Sequence, residues 1–153
     1  MTTLWRRWRA LAPSDRRLLG ETALLVLRVR AGLRLGSFTV LRQRLERLSP
    51  TRGASPRAPE RVAWAVAAVA RRLPGTTCLA QSLVAHAMLR RRGYAPVLHI
   101  GVRAPTGGAP LPLDAHAWVE CEGRVVAGDV DGLGEYAPLR PVRPRSSVES
   151  GPS

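Results

Sequence analysis

Apolar residues recur at helical spacing as far as Gly93 and alternate with a period of two beyond it. A segment patterned for one period cannot rest as the other, so the change splits the chain into a helical first part and a strand-forming second part. The expected fold is α+β, with helices packed on a small antiparallel sheet. In the second part, "APVLHIGVR" sets Val97, His99 and Gly101 against Leu98, Ile100 and Val102. "APTGGAPLPL" is a Gly/Pro loop. "DAHAWVEC" sets Ala115, Ala117, Val119 and Cys121 against His116, Trp118 and Glu120. Glu122-Gly123 reads as a turn and "RVVAGD" as a third strand.

The helical part divides further. Ser14 reads as an N-cap with Asp15 in the first turn, opening a helix to about Leu35. Leu18, Leu19, Leu25, Val26, Val29 and Leu33 give it an apolar side; Arg16, Arg17, Arg28 and Arg30 make it cationic. "SFTVLRQRLERL" is a second short helix. "ERVAWAVAAVARRL" turns Val62, Val66, Val69 and Leu73 inward and stops at Pro74. In "GTTCLAQSLVAHAMLRRRG", Leu79, Leu83 and Ala87 line one face, with Val84 and Met88 beside them, and Gly93 closes the helix. The expected organisation is a helical arm at 1–48, a Pro/Ser/Gly/Arg linker at 49–59, a mixed helix-and-strand domain at 60–140 and a polar, disordered tail at 141–153.

Charge narrows the partners. The chain carries a net charge of +13 with no lysine, which favours an anionic partner such as an acidic peptide or a membrane surface. The arginines are spread along the chain and no nucleic-acid motif accompanies them, so a nucleic-acid partner is not expected. The amphipathic arm leaves peripheral membrane contact open, although packing of the arm on the domain is preferred. The longest apolar stretch, "ALLVLRVRAGLRL", is broken by Arg28, Arg30 and Arg34 and is not expected to span a bilayer. No signal peptide is recognisable, and a cytoplasmic location is expected. Two cysteines make no disulfide framework, and with three histidines they have no metal-ligand spacing; neither metal nor cofactor is expected.

Cys78 falls in the first turn of its helix, among unpaired backbone N–H groups that favour a thiolate. The hairpin supplies possible companions. Pairing Cys121 with Arg124 across a two-residue turn places His116 opposite Asp129; a four-residue turn does the same and a three-residue turn does not. Directly opposed side chains approach within about 5 Å at Cβ, close enough for a carboxylate to hold an imidazole. Asp131 lies one diagonal away and competes for that role. A nucleophile, a base and an orienting acid are thus deliverable by one helix start and one strand pair. Cys121 faces away from His116 and reads as core. His86, about 12 Å along the helix from Cys78, cannot be its base. His99 has no assigned role. Gln81, within a turn of Cys78, either helps the Cys78 backbone N–H meet an oxyanion or, the preferred reading, packs or faces solvent, and Trp118 walls the cleft, shields the His–Asp pair or simply packs.

"CLAQSLVAHAMLRRRGYAPVLHIGV", "AHAWVECEGRVV" and "EYAPL", together with the arm "LAPSDRRLLGETALL", resemble the transglutaminase-like leader peptidases of lasso-peptide biosynthesis, the microcin-processing B-protein family. The resemblance covers about residues 60–140 besides the arm. It implies a papain-like cysteine protease that removes the leader from a ribosomally made precursor, with Cys78 as nucleophile and His116 as base; for the acid, "AGDVDG" offers Asp129, with Asp131 as the second candidate. It also implies a separate leader-recognition protein and a macrolactam-forming cyclase as partners. The alternatives are acyl transfer to an amine on the same fold, and a catalytically inert basic binding module.

Overall fold

The structure, a computed structural model, describes residues 6, 9–47, 59–103 and 114–139. Most of the expected linker, the Gly/Pro loop and the tail lie outside the described residues. Among the described residues, four helices pack on a four-stranded antiparallel sheet: α1 (Pro13–Leu35), α2 (Phe38–Glu46), α3 (Pro59–Ala70), α4 (Cys78–Arg91), then β1 (Val97–Arg103), β2 (Asp114–Cys121), β3 (Arg124–Ala127) and β4 (Ala137–Pro138). A short 3-10 turn, Leu133–Glu135, precedes β4. The strand order is β3-β2-β1-β4. The α+β expectation, helices packed on a small antiparallel sheet, holds.

Helix α1 starts differently from the sequence reading. Ala12 is the N-cap and Pro13 occupies the first turn, so Ser14 lies inside the helix and caps nothing. Proline wins that place because it lacks an N–H that would be unpaired there and its φ is already helical. The inner side of α1 buries Leu18, Thr22, Val26 and Val29 against α3 and α4. Thr22 Oγ1 donates to its own helix at Leu18 O (2.7 Å) and lies 3.4 Å from Met88 Sδ on α4. Leu24, Leu27 and Leu35, on the other side of α1, are exposed. Helix α3 ends at Ala70, and Leu73 packs partly buried from the turn beyond it.

The buried core mixes Val62, Val66, Leu83, Val84 and Met88 with the small residues Ala65, Ala80, Ala85 and Ala87. The sheet adds Val119 and Cys121, whose immediate neighbours Trp118 and Glu120 point to its other face. Among the described residues no helix is long and apolar enough to cross a membrane.

Candidate active site

Helix α4 begins on Cys78. Its N-cap is Thr77, whose hydroxyl accepts the Ala80 N–H at 3.2 Å, a bond worth about 1 kcal/mol to a helix start. Gln81 Nε2 donates to Thr76 O (3.2 Å), tying the preceding loop to the same turn. Cys78 is half-buried, whereas Cys121 is 2 % exposed and burial pushes its thiol pKa up, leaving it inert.

The hairpin begins as its sequence requires. Glu122 and Gly123 both take positive φ (52° and 74°), the signature of a two-residue type I′ turn, and Cys121 pairs with Arg124. The pairing then slips. Glu120 faces Val125 but Val119 faces Ala127, so Val126 is the extra residue of a bulge. The register that would set His116 directly opposite Asp129 is therefore lost, and the β2–β3 ladder ends at Val119–Ala127.

Gly128 makes use of that slip. Its φ is 79°, and a Cβ on it would run into the Ala117 carbonyl and lie 2.8 Å from Trp118 Cα. Only glycine brings the chain this close to β2. Its carbonyl oxygen then sits 2.7 Å from His116 Nε2. A carbonyl can only accept, so Nε2 carries the hydrogen and Nδ1 holds the lone pair in the neutral ring. The group that holds His116 is thus a main-chain oxygen one residue before the expected acid. An isolated glycine closing a strand pattern is the sequence signal for such a close approach. Asp129 is exposed beside a cavity of about 380 Å³ lined by Trp64, Val66, Gln81, Val126 and Gly128. Asp131 is exposed as well.

One buried bond ties the cysteine helix to the histidine strand. Ile100 O accepts the Leu139 N–H on the β4 side, so Ala117, opposite Ile100, turns its carbonyl toward β3, beyond the end of that ladder. Ser82 Oγ donates to it at 2.8 Å. Ser82 is one turn from Cys78, and Ala117 adjoins His116. Ser82→Ala would leave this carbonyl unpaired, at a cost of about 1–3 kcal/mol. We expect a lower melting temperature in that variant and a turnover loss larger than its change in KM, both read from purified protein.

The outer face of the sheet completes the surroundings. The Trp118 ring stacks on His99 (5.2 Å, 14°) and His116 (6.5 Å, 12°). His99 Nε2 lies 3.4 Å from Glu120 Oε2, within ion-pair range but without hydrogen-bond geometry. Tyr136, absent from the residues singled out by the sequence, meets the His116 ring at 5.4 Å and 46°. His86 is buried in the core, away from this face. Among the described residues no group of His, Cys, Asp and Glu could hold a metal ion.

A cysteine opening a helix, packed on an antiparallel sheet that presents a histidine, is the framework of thiol-dependent acyl chemistry. The chain belongs to the Transglutaminase-like superfamily, whose core matches residues 23–141, from within α1 through β4. That superfamily includes cysteine proteases and acyl transferases. Comparison with curated proteins and with solved structures gives no match.

Proposed function

We propose that this protein is a cysteine peptidase that removes the leader from a ribosomally synthesised lasso-peptide precursor, with Cys78 as nucleophile and His116 as base. The observation that carries this reading is the His116 Nε2–Gly128 O bond, which leaves Nδ1 free to serve a thiol. In the proposed reaction Nδ1 takes the Cys78 proton and the sulfur attacks the scissile carbonyl. The negative charge on that oxygen is met by the Cys78 backbone N–H at the start of α4. The imidazolium then protonates the leaving amine, and water, deprotonated by His116, hydrolyses the thioester. A separate leader-recognition protein, a macrolactam cyclase and a cytoplasmic setting belong to the same proposal.

Asp129 is the proposed acid. It follows Gly128 directly and stands at the rim of the cavity beside Gln81. With a carbonyl already on Nε2, its contribution would be electrostatic. We expect Asp129→Asn to lower turnover by about tenfold and Asp131→Asn by about twofold or less. Cleavage rates of both variants with the recognition protein present check the ranking, and the reverse order moves the acid to Asp131.

The test of function is incubation of the chain with a precursor and recognition protein, with and without an added primary amine, followed by mass spectrometry. A free leader carboxylate supports the peptidase. An amide of the added amine identifies acyl transfer. Neither product, with Cys78 inert to iodoacetamide near neutral pH, leaves the basic binding module.

A further inference from the structure

One in-plane hydrogen bond does not fix an imidazole, which can still swing about its side-chain torsions. Tyr136 is placed to prevent this. It is 8 % exposed, and its ring packs on that of His116. Its hydroxyl donates to Asp114 Oδ2 at 2.8 Å. The same oxygen accepts from Arg103 Nη2 at 2.7 Å, while Arg103 Nη1 reaches Glu135 Oε2 at 2.9 Å. The Arg103 guanidinium also lies 4.8 Å from the centre of the Tyr136 ring. The tyrosine is therefore held at its hydroxyl and at its face. Room for it comes from Gly101, opposite His116 on β1, where a Cβ would come within 3.0 Å of Tyr136 Cβ and 2.9 Å of Trp118 Cζ3.

We propose that Tyr136, clamped by Asp114 and Arg103, is a positioning residue that holds His116 in the orientation needed to pair with Cys78. This rests on the thiol–imidazole reading above. The electrostatics agree with the geometry. Tyr136 is pushed up in pKa first by its bond to Asp114, then by burial, with Cys78 contributing in the same direction. Asp114 is held low first by the Tyr136 hydroxyl and then by Arg103, with His116 contributing in the same direction. The charged and titratable groups about His116 are thus Asp114, Tyr136 and, next to Gly128, Asp129, with Arg103, Glu135 and Cys78 around the tyrosine and His99 and Glu120 behind Trp118.

The experiment follows alkylation of Cys78 by iodoacetamide against pH, with the modified residue identified by mass spectrometry, in wild type, Tyr136→Leu, Tyr136→Phe and Asp114→Asn. Loss of the clamp should weaken the thiolate–imidazolium pair. We expect Tyr136→Leu to alkylate about tenfold more slowly near pH 6, its low-pH limb moving to higher pH, and to lose about tenfold or more in kcat with KM within about threefold. Tyr136→Phe keeps the ring and should recover part of both effects, and Asp114→Asn should resemble it. A wild-type pH profile and kcat in Tyr136→Leu, with only a lower melting temperature, would overturn the proposal. If that variant does not fold, unchanged profiles in both Tyr136→Phe and Asp114→Asn overturn it instead. A wild type that alkylates but cleaves no precursor sinks the leader-peptidase reading, and the alkylation profiles still decide the role of Tyr136.

Discussion

Cys78→Ala should abolish precursor cleavage, lowering turnover by about 10⁴-fold or more, while the domain melts within a few degrees of wild type. Nothing in the fold asks for sulfur at this position. The side chain is half-buried at the first residue of α4, the cap is Thr77, and alanine is the best helix former. The other cysteine provides the contrast. Cys121 is in the core on the sheet face turned toward the helices, so Cys121→Ala should cost about 1–2 kcal/mol and keep most of the activity. Cleavage assays and thermal melts of the two variants check the pair. Residual cleavage by Cys78→Ala at more than about one part in a hundred would remove it as nucleophile.

Gly128→Ala should be the most damaging small substitution in the described residues. A methyl group there meets the Ala117 carbonyl and the Trp118 backbone, neither of which can turn away as a side-chain tip could. It must also sit at positive φ, so we expect a loss of about 3 kcal/mol or more. Any relief shifts the Gly128 carbonyl from His116 Nε2, so turnover should fall even at temperatures where the variant is folded. Gly123→Ala separates the two causes. Gly123 has nearly the same φ, 74°, but nothing lies within 4 Å of its missing Cβ. That variant should lose only about 1 kcal/mol and keep its activity. Equal losses in the two variants would mean that the left-handed backbone, not the close approach, governs the site.

The sequence carries the elements well because they rest on local rules. The alternation in "DAHAWVEC" delimits β2 as Asp114–Cys121, and the loop before Cys78 places that residue at the start of α4. The two-residue turn at Glu122-Gly123 is legible for the same reason, since its conformation is set by residues in contact along the chain. What fails is propagation of a register beyond the turn. A single extra residue at Val126 moves everything after it by one place, and strict alternation gives no warning of it. The ties that assemble the site span longer distances still. Ser82 reaches Ala117 across 35 residues and Tyr136 reaches Asp114 across 22, and neither pair has any local pattern to announce it. The companions of Cys78 and His116 are consequently less legible than the two residues themselves.

The small residues of the core set an asymmetry in how such a chain can change over generations. Ala65, Ala80, Ala85 and Ala87 are at most 1 % exposed, so at these positions the core is packed with side chains that offer almost nothing to delete. Drift toward smaller residues is nearly exhausted at those positions. Drift toward larger ones would have to prise apart the same elements that carry Cys78 and His116, at about 1–3 kcal/mol for each misfitted group. Inherited variation that leaves the chemistry intact is thereby directed outward, to the exposed side of α1 and the solvent-facing arginines, and those surfaces are where related chains are free to acquire different partners.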